Sequence, residues 1–161
     1  MEEKLFKSFL VEEQAGVFTG NIVSKSLNDL PENGLLVKVH YSSLNYKDAL
    51  SATGNKGVTK NYPHTPGIDA VGTVISSKTE AFRENDKVIV TSYDLGMNTA
   101  GGFSEYISVP STWAVKLPKE VTMKEARILG TAGLTAGRSV MRLIEQVNPD
   151  DGLIAVAGAT G

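Results

Sequence analysis

Apolar and polar positions alternate most clearly between Leu35 and Tyr41. Leu35, Val37, Val39 and Tyr41 share one face, while Lys38 and His40 fall on the other. That two-residue period predicts a half-buried strand. Ahead of it, Phe6 to Val11 is a short apolar-rich run, with turns expected at Gly16 and Gly20. Leu30-Pro31-Glu32-Asn33-Gly34 is a turn cluster, its Asn-Gly pair suited to the positive φ angles of a tight turn. Beyond the alternating strand, Tyr46 to Ala52 predicts a short helix, ended by Gly54-Asn55-Lys56-Gly57. Further strands are predicted over Ile68–Ile75, Asp86–Thr91, Phe103–Val109 and Trp113–Leu117. Gly72, inside the first of these, marks a bulge or a close backbone approach. Short strands at this spacing predict a compact β-barrel or sandwich.

The texture changes near Lys119. Thr122-Met123-Lys124-Glu125 has the form of a capping box, so a helix is expected to start there and to run to about Leu129. Gly130-Thr131-Ala132-Gly133 is expected to break it, and a second helix to follow from about Leu134 to Gln146. Asn148-Pro149-Asp150-Asp151-Gly152 is the stop. Leu153-Ile154-Ala155-Val156 is wholly apolar, as in a parallel strand buried on both faces. It runs into Gly158-Ala159-Thr160-Gly161, the way a phosphate-binding β-turn-α unit begins. With no parallel neighbour for that strand, the chain reads as the amino-terminal piece of a larger protein.

Composition narrows the function classes. The 161 residues are 41% hydrophobic and 21% charged, as in ordinary globular domains. A net charge of -2 gives no reason to expect a nucleic acid or an anionic membrane as partner. There is no cysteine, so disulfides, thiolate nucleophiles and cysteine-ligated zinc are excluded. No apolar run approaches the roughly 20 residues of a membrane span. The expected compartment is the cytoplasm.

Candidate chemistry gathers in Ser42 to Leu50, where Asn45, Tyr46, Lys47 and Asp48 place an amide, a phenol, an ammonium and a carboxylate in succession at a strand end. The residues alone read first as a solvated strand-to-helix turn with an N-cap. Ser43-Leu44-Asn45-Tyr46-Lys47-Asp48, Pro66-Gly67-Ile68-Asp69-Ala70-Val71-Gly72-Thr73-Val74, Gly101-Gly102-Phe103-Ser104-Glu105-Tyr106, Gly130-Thr131-Ala132-Gly133-Leu134-Thr135-Ala136 and Val156-Ala157-Gly158-Ala159-Thr160-Gly161 follow one another in that order. This order resembles the medium-chain dehydrogenase/reductase superfamily, and within it the zinc-free branch of quinone oxidoreductases and acrylyl-CoA reductases.

The resemblance implies a mainly β fold with some α. A GroES-like β-barrel catalytic domain is expected over residues 1–120. Linking helices and the first strand of an α/β Rossmann domain are expected over 121–161. Zinc-binding relatives carry a cysteine where Asn45 stands and Gly-His-Glu in place of Gly67-Ile68-Asp69, so no metal is expected. The two histidines, His40 and His64, read as solvent-facing or structural and as a surface loop residue.

The activity implied is NADPH-dependent reduction of an activated C=C bond in a small-molecule substrate, an acrylyl-CoA or similar enoyl thioester. A quinone is the alternative acceptor, and a non-enzymatic GroES-like binding module the alternative class. NADP as the cofactor, and a homodimer for the whole protein, are carried by the resemblance alone. Asn45 offers an amide to a substrate carbonyl or to the nicotinamide ribose. Tyr46 offers a phenol as cofactor contact or proton donor, unless it belongs to the core. Thr131 resembles the threonine that reaches the nicotinamide carboxamide. Gly158, Thr160 and Gly161 match the start of the pyrophosphate turn, whose helix is absent, so this chain alone is expected to bind the dinucleotide poorly and to be inactive. Asp48 is open between helix cap and chemistry, and Asp69 between a structural and an active part.

Overall fold

The computed structural model describes residues 4–158. The chain opens with an antiparallel hairpin of β1 (Leu5–Gln14) and β2 (Val17–Ser26), paired in unbroken register from Leu5 opposite Ser26 to Gln14 opposite Val17. Ala15 and Gly16 form its loop, both at positive φ, as two-residue hairpin turns require. The sequence pattern predicts only the first of these strands, and a turn at Gly20. Gly20 instead lies within β2 opposite Val11. A Cβ there would stand 2.2 Å from the Phe9 ring, so the glycine makes room for an aromatic side chain and ends nothing.

The second sheet holds five antiparallel strands in the order β6-β3-β4-β5-β7. These are β3 (Leu35–Tyr41), β4 (Asp69–Ser77), β5 (Lys87–Thr91), β6 (Tyr106–Val109) and β7 (Ala114–Lys116). The hairpin is tied to the segment leading into β6 by an isolated bridge, in which Phe9 N–H donates to Phe103 O at 2.8 Å and Glu105 N–H to Lys7 O at 2.9 Å. The register between β3 and β4 slips between Val39 and Tyr41, where the extra residue lies in β3. Gly72 is the close backbone approach of the two expected alternatives, since a Cβ there would stand 2.2 Å from the Lys38 carbonyl oxygen. Inward positions of the strands, Leu35 and Val37, Val74, Val88 and Val90, Ile107 and Val109, join Leu95 in one fully buried core. Each contributes about 1.5–3 kcal/mol by leaving water.

Two helices flank the sheet. The helix α1 (Tyr46–Ala52) follows β3 after the turn Ser42–Asn45. The helix α2 (Met123–Ile144) starts on the predicted capping box, with Glu125 N–H donating to Thr122 Oγ1 at 3.2 Å and Thr122 N–H to Glu125 Oε2 at 2.8 Å. The expected four-residue break contracts to one residue. Only Gly130 leaves helical geometry, at φ 38 and ψ -155, and the helix resumes at Thr131. A single 3-10 turn, Pro149–Asp151, ends the helical region. The strand expected at Leu153–Val156 is an exposed segment without a ladder, since no described strand lies beside it to satisfy its backbone.

Candidate functional site

The polar cluster begins where β3 gives way to α1. Ser42 Oγ donates to the carbonyl of Asp69 at 2.7 Å, and Ser43 Oγ to the carbonyl of Arg127 at 2.8 Å. The turn is thereby fastened to both β4 and α2. Asn45 takes the N-cap position of α1 with extended geometry, its N–H donating to Asp48 Oδ2 at 2.8 Å. Asp48 Oδ1 accepts from Ile68 N–H at 2.9 Å and Gly67 N–H at 3.2 Å. Asp48 is 2% exposed and serves three backbone donors, so of its two open roles the structure assigns the cap. Burial pushes its carboxyl up, against the hydrogen bonds from Asn45 and Ile68 that lower it, with the charge of Asp69 adding to the rise.

Asp69, the first residue of β4 and 3% exposed, is the hub. Its Oδ2 accepts from Asn45 Nδ2 and from Thr131 N–H, each at 3.0 Å. Its Oδ1 accepts from Thr131 Oγ1 at 2.6 Å and from the hydroxyl of Thr91, at the end of β5. Burial raises the Asp69 carboxyl, but the donors from Thr131, Thr91 and Asn45 outweigh it and hold the group below the usual carboxylate range. The Thr131 N–H is an orphan of the restarted helix, and Asp69 caps it from another element. Gly130 makes this possible. A Cβ at its position would lie 2.7 Å from Asp69 Oδ2 and 2.9 Å from Ser43 Oγ, and its φ of 38 disfavours any side chain.

Thr131 also lines a cavity of about 150 Å³ with Lys47, Ile68, Ser92, Tyr93, Leu95 and Met97. Ser92 and Tyr93 both have positive φ, 68 and 54, a backbone costing roughly 1–2 kcal/mol per residue. The Tyr93 ring stacks on Trp113 with centroids 5.4 Å apart and planes at 4°. Lys47 Nζ contacts Met97 Sδ at 3.9 Å. Tyr46, the first residue of α1, is 79% exposed. That removes it from the core and leaves its phenol available at the surface.

Of the sequence candidates, Asn45 and Thr131 therefore meet on one carboxylate, and Tyr46 follows Asn45 in the chain. Gly158 lies in the exposed segment after α2 and makes none of the hydrogen bonds of this cluster. Thr160 and Gly161 lie outside the described residues. Thr91, Ser92 and Tyr93 carry no sequence signal that separates them from an ordinary strand end. His64 corrects the surface reading: it is 6% exposed, because its backbone pairs with Val11 in an isolated bridge. Burial lowers its pKa, against opposing effects of Gly96 and Asp94. His40 is exposed, its Nε2 3.0 Å from Thr73 Oγ1. Among the described residues no group of three or more His, Cys, Asp or Glu side chains is placed to hold a metal ion.

Residues 31–119 match the alcohol dehydrogenase GroES-like domain family. The chain is 46% identical over 98% of its length to YhfP, a candidate quinone oxidoreductase of Bacillus subtilis (strain 168), covering 48% of that protein. It is 38% identical over 98% of its length to the acrylyl-CoA reductase AcuI of Ruegeria pomeroyi, again covering 48%. The crystal structure of YhfP with NAD bound superposes with a TM-score of 0.93 at 45% identity, over 98% of this chain and 48% of that one. That of Escherichia coli K-12 YHDH with bound NADPH gives 0.86 at 40% identity, over 90% and 45%. The chain spans about half the length of the curated relatives it matches.

Proposed function

The chain belongs to the medium-chain dehydrogenase/reductase superfamily through its alcohol dehydrogenase GroES-like domain, and on that premise we propose that the protein is a zinc-independent, NADPH-dependent reductase of activated carbon–carbon double bonds. An acrylyl-type enoyl thioester is the preferred substrate, and a quinone the alternative acceptor. The observation carrying this reading is the convergence of Asn45 and Thr131 on the buried Asp69 carboxylate, at the rim of a cavity lined by Thr131, Lys47 and Tyr93.

A reduced nicotinamide supplies the hydride when bound. The chain's residues hold and orient the reacting groups. Thr131, with its own donors turned onto Asp69, offers acceptor lone pairs that suit a carboxamide N–H. Asn45 is fixed by Asp69 through Nδ2, which leaves its amide oxygen as an acceptor. The exposed Tyr46 phenol donates the proton that balances the hydride at the reduced double bond. The donor set argues against zinc in this cleft: Asn45 and Ile68 stand where ligands would be needed, and Asp69 already accepts four hydrogen bonds.

The test uses the protein produced from its complete reading frame. NADPH consumption is expected with acrylyl-CoA, with a quinone as the second acceptor tried; silence with both in a folded protein refutes the reading. Tyr46→Phe is expected to lower turnover by about 100-fold or to weaken NADPH binding, with melting unchanged. Kinetics equal to the parent's would remove Tyr46 from the site.

A further inference from the structure

Resting on the reading that Thr131 meets the nicotinamide end of the cofactor, we propose that Asp69 is a positioning residue that fixes the hydrogen-bond polarity of Thr131, making its hydroxyl an acceptor only, so that the site selects a ring substituent bearing an N–H. Proton counting carries the inference. An ionised carboxylate has nothing to donate, so the hydroxyls of Thr131 and Thr91, both bonded to Asp69 Oδ1, must each give their one proton. The two hydroxyl oxygens also lie 2.9 Å from each other, but an ion outcompetes a neutral oxygen for a proton. The Thr131 N–H is directed to Asp69 Oδ2 as well. Both donors that Thr131 owns are thus engaged with Asp69, and its hydroxyl keeps only acceptor lone pairs for a ligand in the cavity that Thr131 lines. The hydrogen-bond-weakened basicity of Asp69 keeps this arrangement constant around neutral pH.

The two carboxylate oxygens are not equivalent, and this makes the inference testable with an isostere. Oδ2 is held by Thr131 N–H and Asn45 Nδ2, and the first of these can only donate. Oδ1 is held by two hydroxyls, which can reverse their roles. In Asp69→Asn the amide nitrogen therefore settles in the Oδ1 position and donates to the hydroxyls. The Thr131 proton is then no longer held by an ion, and the hydroxyl is free to donate to a ligand where before it could only accept. Shape and volume are unchanged.

The probes are NADPH and its reduced 3-acetylpyridine analogue, which keeps the carbonyl and exchanges the amide nitrogen for a methyl group. Equilibrium dissociation constants are measured by calorimetry on the protein from its complete reading frame. The parent is expected to prefer NADPH by about tenfold, the worth of one hydrogen bond. Asp69→Asn is expected to bring the ratio close to one, by tightening the analogue relative to NADPH. Thr131→Ser should keep the parent's preference and Thr131→Val should lose it, which decides the matter if Asp69→Asn does not fold. An unchanged ratio in folded Asp69→Asn, or in Thr131→Val, overturns the inference alone. A parent protein that binds neither dinucleotide overturns the proposed function, and this inference with it.

Discussion

Asp48 and Asp69 are both almost fully buried and both hold backbone N–H groups, yet their carboxyls shift in opposite directions. For Asp69 the folded-state pKa lies below the unfolded value of about 3.9. Its contribution to stability is present above that value and is lost as pH falls through the folded one. For Asp48 the folded pKa is raised, so its contribution is full below the unfolded value and is lost as pH rises through the folded one. Two isosteric variants should separate them in urea unfolding between about pH 6 and pH 3. The stability deficit of Asp69→Asn against the parent narrows on acidification, and that of Asp48→Asn widens. Parallel deficits across the range would remove both assignments. At this scale the sequence made Asn45, Tyr46 and Thr131 visible, because their motifs are contiguous. The office of Asp69 was hidden, since it depends on Thr91 and on a threonine 62 positions away.

Among the elements, α2 shows most plainly how a tertiary contact overrides local preference. Gly130 and Gly137 both lie inside the helix, and propensity alone would favour alanine at each by about 0.8–1.0 kcal/mol. At Gly137 an added Cβ meets nothing within 4 Å, so Gly137→Ala should raise stability by roughly 0.5–1 kcal/mol. At Gly130 the same change meets Asp69 and Ser43 in a strained backbone, and should cost about 1–3 kcal/mol. Melting of the two variants beside the parent checks both signs, and a Gly130→Ala protein as stable as the parent would mean that the kink is not imposed by the cluster. The pattern marked a break here but made it four residues wide. Two glycines flanking Thr131 and Ala132 look alike in sequence, and only the proximity of Asp69 singles out the first. The strand β2 escaped for the converse reason, since Gly20 is required by the Phe9 ring across the hairpin.

For the whole molecule, period-two alternation and turn residues suffice to read the strands of the larger sheet, because their inward faces build a single core. The segment Leu153–Val156 shows the limit of such reading. Its apolar character is intrinsic, whereas a ladder needs partners that the described residues do not provide. The cluster on Asp69 has one more consequence, for the order in which the molecule assembles. Its hydrogen bonds join residues 22, 24 and 62 positions apart, whereas the Val74 N–H bonds Asp86 O a dozen residues on. Closing longer loops costs more entropy before any contact repays it. In refolding followed by pulsed hydrogen exchange, the Val74 amide should gain protection before that of Thr131; simultaneous protection would mean that the cleft forms together with the β4–β5 hairpin. On this account the cleft forms after the β4–β5 hairpin, and a half-folded molecule carries that hairpin and no site.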